Sequence, residues 1–142
     1  MNILVSLILF FNLGFVNQDL PLQITIDEVR STNGSISVSV FLDQESFAAE
    51  KPYKHELFPK SGYSQGSSFT CSMDLPYGAY GVVVLDDENE NNNMDYNWMG
   101  VPKEGYGFSN FIHKGFSKPD YSDFEFILNE KTKEMNISLR YF

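Results

Sequence analysis

The 142-residue chain holds one cysteine, one tryptophan, two histidines and six prolines. A lone Cys71 excludes an internal disulfide framework and a cluster of thiolate metal ligands. His55 and His113 lie in different segments without ligand or catalytic spacing, so zinc and copper lack their usual donors. Positive charge is scarce as well: Lys and Arg total 10 against 19 Asp and Glu, a net charge of −9. No basic face is available for nucleic acid or an anionic membrane surface, whereas a bound cation suits the balance. Ser109 sits in Gly107-Phe-Ser-Asn-Phe111, which ends on Phe where a nucleophile elbow needs Gly. Without a nucleophile, base and orienting group at recognisable spacing, catalysis is not expected.

Long apolar runs are also rare. The one that exists, residues 3–16, is 14 residues long and falls short of the roughly 20 needed to span a bilayer. It fits the apolar region of a signal peptide covering residues 1–18, with a single domain over 19–142 and an exported product, periplasmic, outer-membrane-associated or secreted. The positive flank is reduced to the α-amino group, because no Lys or Arg precedes Arg30, and the cleavage region lacks a small-x-small pattern. A buried first strand is the competing reading. No cysteine follows the run, so a lipoprotein anchor is not supported.

What the chain does have is aromatic residues, 13 Phe and 8 Tyr, and strict alternation of apolar with polar side chains. Leu22, Ile24 and Ile26 alternate with Gln23, Thr25 and Asp27, and Ile36, Val38 and Val40 alternate with three serines. Phe69, Cys71 and Met73 alternate with Thr70, Ser72 and Asp74, placing Cys71 on a core face as an inert buried thiol. Ala79 to Leu85 is almost wholly apolar and reads as a central strand. Further strands are expected near 53–58, 124–128 and 135–141, with turns at Ser31–Gly34 and Leu75–Gly78. Asp43–Glu50 alone reads as helical, with Asp43 as N-cap. Seven strands and almost no helix predict an all-β fold, a seven-stranded antiparallel β-sandwich of immunoglobulin-like or transthyretin-like kind.

One stretch breaks the rhythm. From Asp86 to about Asp120 no convincing strand occurs, a length far beyond ordinary hairpins. Its aromatic content, Trp98, Tyr106 and Phe108 among others, predicts an ordered loop that folds back on the sandwich, with Gly105 and Gly107 letting the backbone turn. The loop opens Asp86-Asp-Glu-Asn-Glu-Asn-Asn-Asn-Met-Asp95. Counted from Asp87, oxygen-bearing side chains fall at Asp87, Asn89, Asn91, Asn93 and Asp95, positions 1, 3, 5, 7 and 9 of a calcium loop. Position 6, Gly in an EF-hand, is Asn92, the next most tolerant residue of a left-handed backbone. Position 12 is Trp98, so the bidentate Glu is missing. No Lys, Arg or His lies between Lys60 and Lys103 to offset five acidic residues, and weak calcium binding is expected. A solvated acidic turn is the alternative.

Two stretches carry a family resemblance: Leu75-Pro-Tyr-Gly-Ala-Tyr-Gly-Val-Val-Val-Leu-Asp-Asp-Glu-Asn-Glu-Asn and Met99-Gly-Val-Pro-Lys-Glu-Gly-Tyr-Gly-Phe-Ser-Asn110. They resemble the DUF2141 family of exported bacterial proteins, and the likeness runs from about Leu22 to the carboxyl end. The resemblance implies an envelope-associated β-sandwich and no defined activity. Relative to that family, Asp86 stands where a His is usual, and Glu90 and Asn92 stand where Gly is usual. Two functions follow as expectations. One is a non-enzymatic exported module whose acidic loop holds calcium. The other is a module for an envelope glycan or protein, using Trp98, Glu104, Tyr106, Phe108 and Asn110 as its surface.

Overall fold

The computed structural model describes residues 19–115 and 117–142; the apolar run and expected signal peptide lie outside the described residues. Its elements are β1 (Leu20–Asp27), β2 (Ser35–Phe41), α1 (Gln44–Ala48), β3 (Lys54–Pro59), β4 (Phe69–Leu75), β5 (Gly78–Asp87), β6 (Gly105–Phe108), α2 (Tyr121–Phe124), β7 (Glu125–Leu128) and β8 (Glu134–Ser138). The described residues are mostly β, with two short helices. Three strands form one sheet in the order β4-β1-β8, and five form the other, β3-β2-β5-β6 with β7 also on β5. β5 is long enough to pair with β7 through Gly78–Gly81 and with β6 through Val83–Asp86, so those two strands sit end to end along one side of it.

Alternation explains the packing. Leu22, Ile24 and Ile26 of β1, Ile36, Val38 and Val40 of β2, Met73 and Leu75 of β4, and Val82 and Val84 of β5 are all buried in one core shared by the two sheets. The intervening residues of β2 and β5 face the other way. There, at one end, Phe41 joins Phe47 of α1, Phe108 of β6 and Tyr121 and Phe124 of α2 in a second aromatic cluster. Cys71 is buried, as its register requires. α1 is capped as expected: Asp43 Oδ1 accepts from the Ser46 amide at 2.7 Å, and the Ser46 hydroxyl faces the Asp43 amide at 3.3 Å.

Three expectations are corrected. Among the described residues eight strands occur where seven were predicted, because Gly105-Tyr-Gly-Phe108 is a strand inside the segment read as loop. Gly105 and Gly107 are extended there and not at a turn. A Cβ on Gly105 would lie 2.3 Å from the Tyr141 ring, and one on Gly107 2.6 Å from Ile137 Cγ2, so close approach of the carboxyl-terminal segment selects glycine. Second, the sheets are not wholly antiparallel, since β1 and β8 run parallel from Gln23↔Glu134 to Asp27↔Ser138. Beyond β8 the chain leaves that sheet and Arg140 bridges Tyr106 of β6. Third, α2 was not expected; its start is tied to α1 by the Tyr121 amide donating to Gln44 Oε1 at 2.7 Å.

Candidate functional site

The acidic segment begins inside β5. Asp86 and Asp87 are its last residues, both fully buried, and they do different work. Asp86 faces Lys60, itself only 1% exposed, with Nζ 2.5 Å from Oδ1, while the Tyr141 hydroxyl donates to Oδ2 at 2.6 Å. Lys60 also donates to the Ser31 carbonyl. The next acid, Glu88, is gripped by Arg30 through two bonds, Nε to Oε1 at 3.0 Å and Nη2 to Oε2 at 2.6 Å. The Arg30 hydrogen bond holds the Glu88 carboxyl below its ordinary value. The expectation that nothing offsets the acidic run is therefore wrong for two of its five acids. Lys60 follows β3 and Arg30 lies in the loop between β1 and β2, and Asp86 is spent on structure.

Asp87, Asn89, Asn91 and Asp95 do converge. Asp87 Oδ1 accepts from the Asn91 amide at 3.1 Å and Oδ2 from the Asn92 amide at 2.8 Å, which curls the chain back over the carboxylate. The curl is possible because Glu90 and Asn92 adopt φ of +59° and +61°. The Glu90 side chain turns back to the Ser35 hydroxyl. The side-chain amides of Asn89 and Asn91 both reach one oxygen, Asp95 Oδ2, at 2.5 and 3.0 Å. Asn93 is set apart, its side chain donating to the Asn91 carbonyl at 2.8 Å. The carbonyl oxygens of the two side chains accept from the backbone, Asn89 Oδ1 from the Asn91 amide at 3.2 Å and Asn91 Oδ1 from the Asn93 amide at 2.9 Å, so turning either amide to face a cation with its oxygen exchanges one of these bonds for the new contact. Asp87 and Asp95 have no cationic partner among the described residues. Nor do any three Asp, Glu, His or Cys side chains cluster closely enough there to hold a metal. A cation at this ring would rely on two carboxylates and neutral amides.

Glu104 is buried beside the ring and is not a surface residue. Its Oε1 accepts from the Glu88 amide at 3.1 Å and its Oε2 from the Asp95 amide at 3.3 Å, so one carboxylate fastens both ends of the curl. Burial raises its pKa, against the lowering effect of those two amides, and the nearby Asp87 and Asp95 push the same way as burial.

The aromatic residues are divided. Trp98 was expected to dock, but it is 92% exposed. It stands at the tip of a small hairpin closed by the Tyr96↔Pro102 bridge, where Asn97 Oδ1 accepts from the Met99 and Val101 amides. Tyr106 and Phe108 dock as expected, with ring centroids 5.8 Å apart, and the Tyr106 hydroxyl meets His113 Nδ1 at 2.9 Å. Asn110 is exposed in the turn after β6, at φ +52°. Tyr106 and Phe108 line a cavity of about 310 Å³ on the outer face of the five-stranded sheet, together with Ser37, Ser39, His55 and His113. Of these, only the alternation of β2 put the serines on an outward face; nothing in the spacing of the histidines marked them.

These features define a mostly β, two-sheet protein with an internally braced acidic loop and a covered outer sheet face. The chain belongs to the DUF2141 family, described as an uncharacterized protein conserved in bacteria, whose model matches residues 24–136. No curated protein and no solved structure matches it. Among the described residues no helix is long and apolar enough to cross a membrane.

Proposed function

We propose that the protein is a non-enzymatic, exported β-sandwich module, immunoglobulin-like or transthyretin-like in kind, whose acidic loop holds one calcium ion. The observation that carries the reading is the convergence of Asn89 and Asn91 on one oxygen of Asp95, above an Asp87 carboxylate that curls the chain. Positions 1, 3, 5 and 9 of a calcium loop meet in this way, and the residue at position 6 is left-handed as that loop needs. Asn93 occupies position 7, which contributes its backbone carbonyl in such loops. Hard oxygen donors from carboxylate and amide suit calcium over zinc or copper. Only two carboxylates bring charge, so an affinity of about 10⁻⁴ to 10⁻³ M, that of extracellular modules, is expected.

Melting in calcium and in chelator tests the reading. At ten times the dissociation constant, calcium stabilises the fold by about 1.4 kcal/mol, from RT ln(1 + 10), or roughly 5 °C for a chain of this size. Magnesium at equal concentration does less, because it demands a tighter octahedron. The variant carrying Asp87→Asn and Asp95→Asn keeps one acceptor oxygen at each position, where Asp87 uses two for the Asn91 and Asn92 amides, and removes both charges. Its melting should not respond to calcium. Equal responses of wild type and variant would mean that the loop is a solvated turn.

A further inference from the structure

The outer face of β2 supports a second site, independent of the acidic loop. Successive strand residues point to opposite faces, so Ser37 and Ser39 face away from the core that buries Ile36, Val38 and Val40. The segment after β5 returns across this face and encloses the cavity of about 310 Å³, at the lower end of the range for small-ligand sites. Two chemistries share its wall. One is aromatic: Tyr106 and Phe108, with Tyr96 at 57% exposure on the hairpin. The other is a set of hydrogen-bonding groups with unused capacity. His55 engages Ser37 Oγ through Nε2 at 2.9 Å, and His113 engages the Tyr106 hydroxyl through Nδ1 at 2.9 Å. The second nitrogen of each ring, and the Ser39 hydroxyl, have no hydrogen-bond partner among the described residues.

Charge narrows the occupant. The one carboxylate and one ammonium among the described lining residues, Glu50 and Lys118, lie on exposed positions and pair with each other at 3.3 Å. An ionic ligand would lose water and gain a counter-charge only by breaking that pair. A purely apolar ligand would cover Ser39 and two imidazole nitrogens without replacing their water. A flat ring whose faces are apolar and whose edge bears hydroxyls satisfies both walls, because C–H faces stack on aromatic rings while hydroxyls donate and accept. We infer that this cavity binds a neutral saccharide of one or two rings.

The test is ligand-observed NMR on the chain in calcium-free buffer, so that the outcome does not depend on the acidic loop. The probes are glucose, galactose, mannose, N-acetylglucosamine, maltose and cellobiose, with glucuronate, glucosamine and octanoate as charged and apolar controls. At least one neutral sugar should saturate the protein with roughly millimolar affinity, and the controls should not. Ser39→Leu, which removes the hydroxyl and fills the cavity, should weaken that binding at least tenfold. Tyr96→Ala, on an exposed hairpin where misfolding is not at issue, should weaken it severalfold, and Trp98→Ala, outside the cavity, should leave it unchanged. The inference is overturned if no neutral sugar saturates. It is equally overturned if only a control binds, or if both cavity variants bind the sugar as the wild type does.

Discussion

Replacing Lys60 by Met isolates the most consequential electrostatic contact in the fold. Lys60 Nζ and the Asp86 carboxylate are both withdrawn from solvent, and Asp86 has one further donor, the Tyr141 hydroxyl. Removing one partner of a buried pair leaves the other charge without compensation, at a cost of about 3 to 5 kcal/mol. A domain of this length loses about 4 °C in melting midpoint per kcal/mol, so Lys60→Met should lower the midpoint by roughly 12 to 20 °C. Adding Asp86→Asn removes the stranded charge and keeps an oxygen for Tyr141, and the double variant should regain more than half of the loss. Urea unfolding followed by circular dichroism measures both, with an unchanged slope confirming that the unfolded reference is the same. A single-variant loss under 1 kcal/mol would refute the reasoning. So would a double variant no more stable than Lys60→Met.

Four other outcomes follow from the same geometry. Burial pushes the Cys71 thiol up to about 12, so labelling by a disulfide reagent at pH 8 should be slow in native protein and fast in denaturant. Trp98 at the hairpin tip should emit like a water-exposed indole and be quenched by acrylamide almost as readily in the native as in the unfolded state. Gly107→Ala, whose new Cβ would sit 2.6 Å from Ile137 Cγ2 and 2.9 Å from the Ser138 carbonyl, should cost about 1 to 3 kcal/mol by thermal melting. Glu104 is raised above its ordinary 4.5 in the folded state, so the native chain holds that proton more tightly than the unfolded one. Its contribution to stability therefore grows as pH falls through the folded value, and Glu104→Gln should flatten that part of the stability–pH curve.

Much of the fold was legible because buried strands with one wet face write themselves as alternation. β1, β2, β4 and β8 carry that pattern, and Asp43 announces the start of α1. β6 was not legible: in Gly105-Tyr-Gly-Phe108 the glycines suggest a turn, whereas the Tyr141 ring and Ile137 occupy the places of their missing side chains. Direction is not written in a period-2 pattern, which is why the parallel β1–β8 pair was missed. The Asn and Asp ladder was legible, since alternate residues must supply the oxygens. Its partners were not, because Lys60 and Arg30 reach it across the sheet from 26 and 58 residues away. The cavity was hidden for the same reason: Ser39, His55, Tyr106 and His113 come from separate segments and meet only over the face of the sheet.

The central claim is that the curl from Asp87 to Asp95 holds calcium, and an amide chemical-shift titration reads it most directly. Calcium added to chelator-stripped, ¹⁵N-labelled protein should give saturable shifts confined to the amides of 87–96 and of Glu104, with a dissociation constant of about 10⁻⁴ to 10⁻³ M. Shifts that grow linearly to high concentration and scatter over the acidic surface would contradict it.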